Sequence, residues 1–292
     1  MNAKTLPRGP KGHFLLGSLP DFRRDQLDFY ASCAREYGDV VPVRLGPRRV
    51  MLLYHPDAIE EMLVTRSRDF IKSPGVRLLR PLLGDGLLLS EGDSWLRQRR
   101  LVQPAFHRQR LAAYSEVMTA YAERRLAGWK DGQVLDVHAE MMALTQAIVT
   151  KTLFDADVSE EGHVIGHASH VLMEAFGARL RSMIRLPRWV PTPANLKSGR
   201  AIRRLDQVVY RIIANRRRNA EDRGDLLSIL LHAQDADDGT RMTNQQVRDE
   251  VMTLFMAGHE TTAVALSWTW YLLAQHPDVD ARLAAELRIV LG

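Results

Sequence analysis

The chain has 292 residues, 46% hydrophobic and 26% charged, which is long enough for a large core and too apolar for wholesale disorder. Net charge is only +5. The single cysteine, Cys33, excludes an internal disulfide framework and a Cys-based zinc cluster, so a soluble protein of a reducing, cytoplasmic compartment is the default.

The first 20 residues are rich in Pro and Gly (Pro7, Gly9, Pro10, Gly12, Gly17, Pro20) and read as an extended entry segment. They hold no hydrophobic run of signal-peptide or anchor length. Asp25 to Tyr37 predicts a helix stopped by Gly38, with Cys33 as a small packing residue. Val40–Leu45 and Val50–Tyr54, joined by Gly46-Pro47-Arg48-Arg49, predict a small hairpin. His55-Pro56-Asp57 opens a further helix to about Thr65.

Phe70 to Glu91 is punctuated by Pro74-Gly75, Pro81 and Gly84-Asp85-Gly86 and reads as loop. Beyond it, Trp95 and Arg99 are four apart and share a helix face. An indole N–H beside a guanidinium makes a cradle for a carboxylate or phosphate. The same spacing also serves a surface helix with a half-buried Trp. Arg97, Arg100, Arg108 and Arg110 extend the basic character, which suits an acidic partner or water.

From Leu111 to Leu231 helix follows helix, over roughly 111–128, 136–154, 160–184, 196–220 and 225–234. No repeat or composition shift marks a domain boundary, and the length allows one large domain or two smaller ones. His163, His167 and His170, with Glu174 beyond, have the spacing of a metal-binding helix face, but no second ligand-bearing helix accompanies them. Between Arg179 and Arg218, 12 Lys or Arg meet one acid, Asp206. With few aromatics and no binding motif, this reads as a solvated basic face rather than a nucleic-acid surface.

The longest predicted helix runs from Thr243 to His276. Thr243 and Gln246 form a capping box, and Pro277 marks the far end. Its middle is apolar on nearly every face and is expected to be buried all round. Within it lies Ala257-Gly258-His259-Glu260-Thr261-Thr262. Gly258 costs a helix interior about 1 kcal/mol relative to alanine, and Glu260 is expensive to desolvate alone. Thr261 and Thr262 can bond back one turn and loosen the helix. Together these residues predict a local opening beside a carboxylate and a hydroxyl, suited to a small ligand and to proton transfer. A kinked core helix with one satisfied Glu is the alternative. His259 and Glu260 at the midpoint argue against a membrane span. Ala263, where H-E-x-x-H needs its second histidine, rules out a zinc-protease helix.

Three of these features, in order, resemble one family, the cytochrome P450 monooxygenases. Ala257 to Thr262 resembles the oxygen-activating segment of that family's long central helix. Trp95-x-x-x-Arg99, followed by Gln103-Pro104-Ala105-Phe106-His107, resembles its haem-propionate helix. The Pro-Gly entry, hairpin and His55-Pro56-Asp57 helix resemble its N-terminal architecture, and His276-Pro277 with Ala285-Glu286 resembles the helix after the central one. The resemblance covers essentially the whole chain and is nearest to soluble bacterial members of fatty-acid-hydroxylase type.

It implies a mainly α cytochrome P450 fold with a small N-terminal β-hairpin, haem b as cofactor, and insertion of one atom of dioxygen into a small apolar substrate. Trp95 and Arg99 would bond the haem propionates, and Ala257 and Gly258 would leave room for dioxygen. Thr261 and Glu260 would deliver protons to it. Leu87, Leu88, Ala257 and Thr261 would contact substrate, and the pocket lid would fall near Arg181 to Pro193. Electrons would come from a ferredoxin, flavodoxin or diflavin reductase, docking near Arg97 to Arg110, with no nucleic acid and no membrane span. The family's iron-ligating cysteine loop and its E-x-x-R pair are absent from the chain, and Cys33 does not stand in for the ligand. The expectation is a single domain over 1–292, truncated after the long central helix and the helix that follows it, and inactive by itself. A non-catalytic helical protein binding haem or an apolar ligand is the alternative.

Overall fold

The computed structural model describes residues 7–155, 160–181, 187, 189–219, 223–235, 237 and 239–291; within 160–181 the side chains of 160–165, 167, 169, 170, 180 and 181 lie outside the description. The chain divides into two compact units, one up to Ile71 and one from Lys72.

The first unit contains α1 (Leu19–Arg24), α2 (Gln26–Tyr37), β1 (Val40–Leu45), β2 (Arg48–Leu53) and α3 (Pro56–Glu60), which continues through a π-turn to Thr65. Asp25 caps α2 by accepting from the Leu27 and Asp28 amides, and Gly38, at φ 84°, ends it. The strands pair antiparallel from Val40 opposite Leu53 to Leu45 opposite Arg48. Their turn is therefore Gly46-Pro47 alone, two residues shorter than the sequence pattern predicts. Gly46 has φ 62°, the left-handed value that the first position of a type II′ hairpin turn demands. Phe29, Cys33, Val41 and Val43 form this unit's core.

The second unit opens with short turns and α4 (Arg80–Leu83), then α5 (Gly92–Val102), α6 (Arg108–Leu126), α7 (Val137–Phe154) and α8 (Glu160–Arg181). There follow α9 (Pro193–Asn219), α10 (Leu226–His232), α11 (Asn244–Gln275) and α12 (Pro277–Leu291). Side-chain caps fix several starts: Asp136 for α7, Asp225 for α10, and the reciprocal Thr243–Gln246 box for α11. The long helix packs most extensively on α7 and also touches α4, α9 and α10. Val247, Val251, Met252 and Phe255 lie in a core that includes Leu205, Val209, Ile213, Leu227 and Leu230.

Three expectations need correction. The long helix is not buried all round: burial is near complete from Val247 to Met256, but Ala257, Thr261, Thr262 and much of Val264 to Gln275 are exposed. A helix is covered only where another element lies on it, and the second half of α11 is covered along one side, with Trp270 edge-on to Trp129 and Ser267 beside His138. The helix also runs unbroken through Gly258 and the threonines rather than opening there. Finally, the basic stretch before Arg218 is not wholly solvated. Arg216 is buried, its guanidinium shared among Asp225 (2.6 Å), the Phe154 carbonyl and Ser228, while Asp206 takes up Arg248.

The side chains of His163, His167 and His170 fall outside the described residues, as does part of the Arg181–Pro193 segment. Among the described residues no His, Cys, Asp and Glu side chains gather as a metal site, and no helix is long and apolar enough to cross a membrane.

Candidate functional site

The first two turns of α11 carry Arg248, Asp249 and Glu250 in succession. Three adjacent helix positions span about 200° of its circumference, and here all three side chains are buried. Burial on that scale requires partners. Arg248 pairs with Asp206 of α9 at 2.6 Å and with Asp249 at 2.9 Å. The other carboxylate oxygen of Asp249 accepts the Asp85 amide at 3.0 Å, and Glu250 Oε2 accepts the Leu87 amide at 3.1 Å. The Gly84–Ser90 segment is thus seated directly on the helix. A Cβ at Gly84 would lie 2.1 Å from the Asp249 carboxylate, and one at Gly86 would lie 2.3 Å from Thr253 Oγ1 and 2.6 Å from the Asp249 carbonyl. Only glycine permits that approach.

The same segment is tied to α5, because Gln98 Nε2 donates to the Asp85 carbonyl at 2.9 Å. On α5 the arginines separate by partner. Arg97 pairs with buried Asp235 at 3.0 Å, and Arg100 pairs with Asp237 at 2.8 Å. Arg99 has no carboxylate partner among the described residues; its guanidinium lies over the Trp95 ring, 5.1 Å from the centroid. The Trp95 indole N–H is likewise without an acceptor there. Two strong donors on one helix face, one of them cationic and already stacked on the other, fit a ligand that brings carboxylates. On the chemistry of this donor pair the site fits the propionates of haem.

Along α11, Ala257 and Thr261 stand seven and eleven residues beyond Glu250, so they lie about 20° to either side of it and the three share one face. The loop bearing half-buried Leu87 and exposed Leu88 therefore sits on the face that, further along, presents Ala257 and Thr261. The Thr261 hydroxyl donates to the Ala257 carbonyl at 2.5 Å, leaving its oxygen lone pairs outward. Glu260 is half-buried, with no partner among the described residues.

Gly258 and His259 point elsewhere. A Cβ at Gly258 would come within 2.9 Å of Val149 Cγ2, so the glycine lets α7 approach. His259 is buried against α7, its Nε2 3.2 Å from the Met142 carbonyl, and burial pushes its pKa below the usual histidine value. It is a packing residue rather than a metal ligand. Cys33, in the first unit, has its thiol pushed up by burial and then by Glu36, which disfavours the thiolate a metal needs.

The structure thus ties the Leu87–Leu88 loop to both α5 and α11. Sequence reasoning missed the residues that do so: Asp249, Glu250 and Gln98. The local signal was three consecutive charges in the first turns of α11, and a solvated helix face shows the same pattern, so packing decides the outcome.

Comparison with known proteins supplies the rest. The cytochrome P450 family model matches residues 7–292. Cyclooctatin synthase of Streptomyces melanosporofaciens is 39% identical over 287 residues, covering 97% of this chain and 62% of its own length. Cyclooctat-9-en-7-ol 5-monooxygenase of the same organism is 36% identical, covering 98% and 62%. The crystal structure of the cytochrome P450DA heme domain superposes with a TM-score of 0.83 at 29% identity, over 98% of this chain and 64% of that one. The chain thus spans about 62% of the length of these curated relatives.

Proposed function

The chain belongs to the cytochrome P450 family, and we propose from that premise that it forms part of a haem-dependent monooxygenase inserting one atom of dioxygen into an apolar organic substrate. The observation that carries this is the donor pair Trp95–Arg99, without a carboxylate among the described residues on a helix whose other arginines are ion-paired. When bound, haem supplies the activation of dioxygen. The residues of this chain then hold, shape and protonate. Trp95 Nε1 and the Arg99 fork would hold the propionates. Ala257 leaves open the face on which Thr261 stands. Glu260 and Thr261 would act as the acid–alcohol pair that delivers protons; the Thr261 hydroxyl, which donates to the Ala257 carbonyl, would re-aim by turning about its Cβ–Oγ1 bond.

Leu87, Leu88, Ala257 and Thr261 line the substrate side. A relative named for an unsaturated alcohol, cyclooctat-9-en-7-ol, supports a compact, carbon-rich substrate. Electrons come from a ferredoxin, flavodoxin or diflavin reductase. Arg97, Arg100 and Arg110 have partners within the fold, so of these four arginines Arg108, exposed and without a partner among the described residues, is offered to an acidic partner.

The test is haem titration of the chain followed by absorbance. Arg99→Ala and Trp95→Phe are expected to weaken binding roughly tenfold or more each, the range for a hydrogen bond to a charged group. Arg100→Ala, which breaks only the pair with Asp237, should leave binding unchanged. Equal loss in all three variants would overturn the assignment.

A further inference from the structure

Leu87 is held on both sides of its backbone by opposite charges. Its N–H is taken by Glu250 Oε2 at 3.1 Å, and its carbonyl accepts from Lys72 Nζ at 3.0 Å. Lys72 Nζ also reaches the Ser90 carbonyl at 2.6 Å, and the Lys72 amide donates to Glu91. Glu250 is 0% exposed, and its second oxygen, Oε1, has no hydrogen-bond partner. A buried carboxylate with half its acceptor capacity unused is costly to keep. Here its described use is to hold a loop.

We propose that Glu250 and Lys72 are positioning residues that latch the Leu87–Leu88 segment onto α11 and so set the substrate side of the site. This rests on the reading of Leu87 and Leu88 as substrate contacts. Both ends of the latch are ionisable side chains. Burial pushes the Glu250 carboxyl up to about 7, a rise that Asp249 adds to and that the Leu87 amide and Lys72 oppose. Burial lowers Lys72, while Glu91 and Glu250 hold it charged. The other charges near Glu250 are engaged: Arg248 with Asp206 of α9 and with Asp249, and Arg80 of α4 with Asp85. No charged group of α7 or α10 acts on Glu250 among the described residues. Near neutral pH, then, one proton on Glu250 weakens the acceptor for the Leu87 amide and removes part of what keeps Lys72 charged.

Amide hydrogen exchange and 15N–1H shifts of the chain, without haem or substrate, test this. At pH 8, Glu250→Ala and Lys72→Met are expected to lower protection over Asp85–Ser90 roughly tenfold to a hundredfold, while α10 amides keep theirs. Glu250→Gln, which keeps an acceptor, should largely restore protection at Leu87. The Leu87 amide shift should titrate near 7 in the parent chain and stay flat in Glu250→Gln. A flat Leu87 shift in the parent chain overturns the latch, as does loss of protection shared equally by α10. If Glu250→Ala does not fold, Lys72→Met and Glu250→Gln decide. Because these readouts involve no ligand, their failure is distinct from a failure of the substrate reading, which shows as unaltered ligand preference on changing Leu88.

Discussion

Arg97, Arg99, Arg100 and Arg216 are the same side chain in four situations, and partners alone separate their roles. Arg216 is enclosed with Asp225 at 2.6 Å, the Phe154 carbonyl and Ser228, joining α7, α9 and α10. Removing one member of a buried pair strands the other, so Arg216→Ala should lose about 3–5 kcal/mol in urea denaturation. Glu250 makes the opposite kind of contribution. Its carboxyl ionises near 7 in the folded chain against 4.5 when free. Between those values the folded state keeps a proton that the unfolded state has released, so stability falls as pH rises through this window and levels off above it. Glu250→Gln should flatten that slope and gain up to roughly 3 kcal/mol above neutrality, measured as denaturation midpoints across pH. A stability profile identical to the parent's would contradict the buried assignment.

Elements meet at two glycines whose demands differ. At Gly86 an added methyl meets the Asp249 carbonyl at 2.6 Å, backbone that cannot give without moving α11. At Gly258 it meets one methyl of Val149 at 2.9 Å. Alanine at 258 also recovers about 1 kcal/mol of helix propensity, which offsets part of an overpacking cost of about 1–3 kcal/mol. Thermal unfolding should therefore rank Gly86→Ala clearly below Gly258→Ala, and Gly86→Ala alone should perturb the Leu87 amide. At the start of the same helix, Thr243 and Gln246 satisfy each other's amides at 3.2 and 2.9 Å. Thr243→Ala should cost about 1 kcal/mol, the usual value of a lost N-cap.

On the scale of the whole molecule, the second half of α11 and the length of α12 present Val264, Trp268, Tyr271, Leu272, Leu283 and Leu287 to solvent, with Trp268 60% exposed. A contiguous apolar face of this kind drives association and dye binding. The chain should bind an apolar fluorophore and self-associate with concentration in sedimentation, and Trp268→Arg with Leu272→Glu should reduce both. Most helix limits were legible beforehand because they depend on neighbours within four residues: Asp25 and Gly38 bound α2, and Thr243, Gln246 and Pro277 bound α11. The neighbourhood of Trp95 and Arg99 was legible too, since a spacing of four puts both on one helix face, where the guanidinium lies over the indole. Tertiary structure alone decided which arginine stays free on α5, which side of α11 meets water, and that Glu250 and Lys72 grip Leu87. Those outcomes join residues as far apart as Asp85 and Asp249. Charge pairing and burial at such separations follow from how the helices pack, and no local pattern encodes that packing.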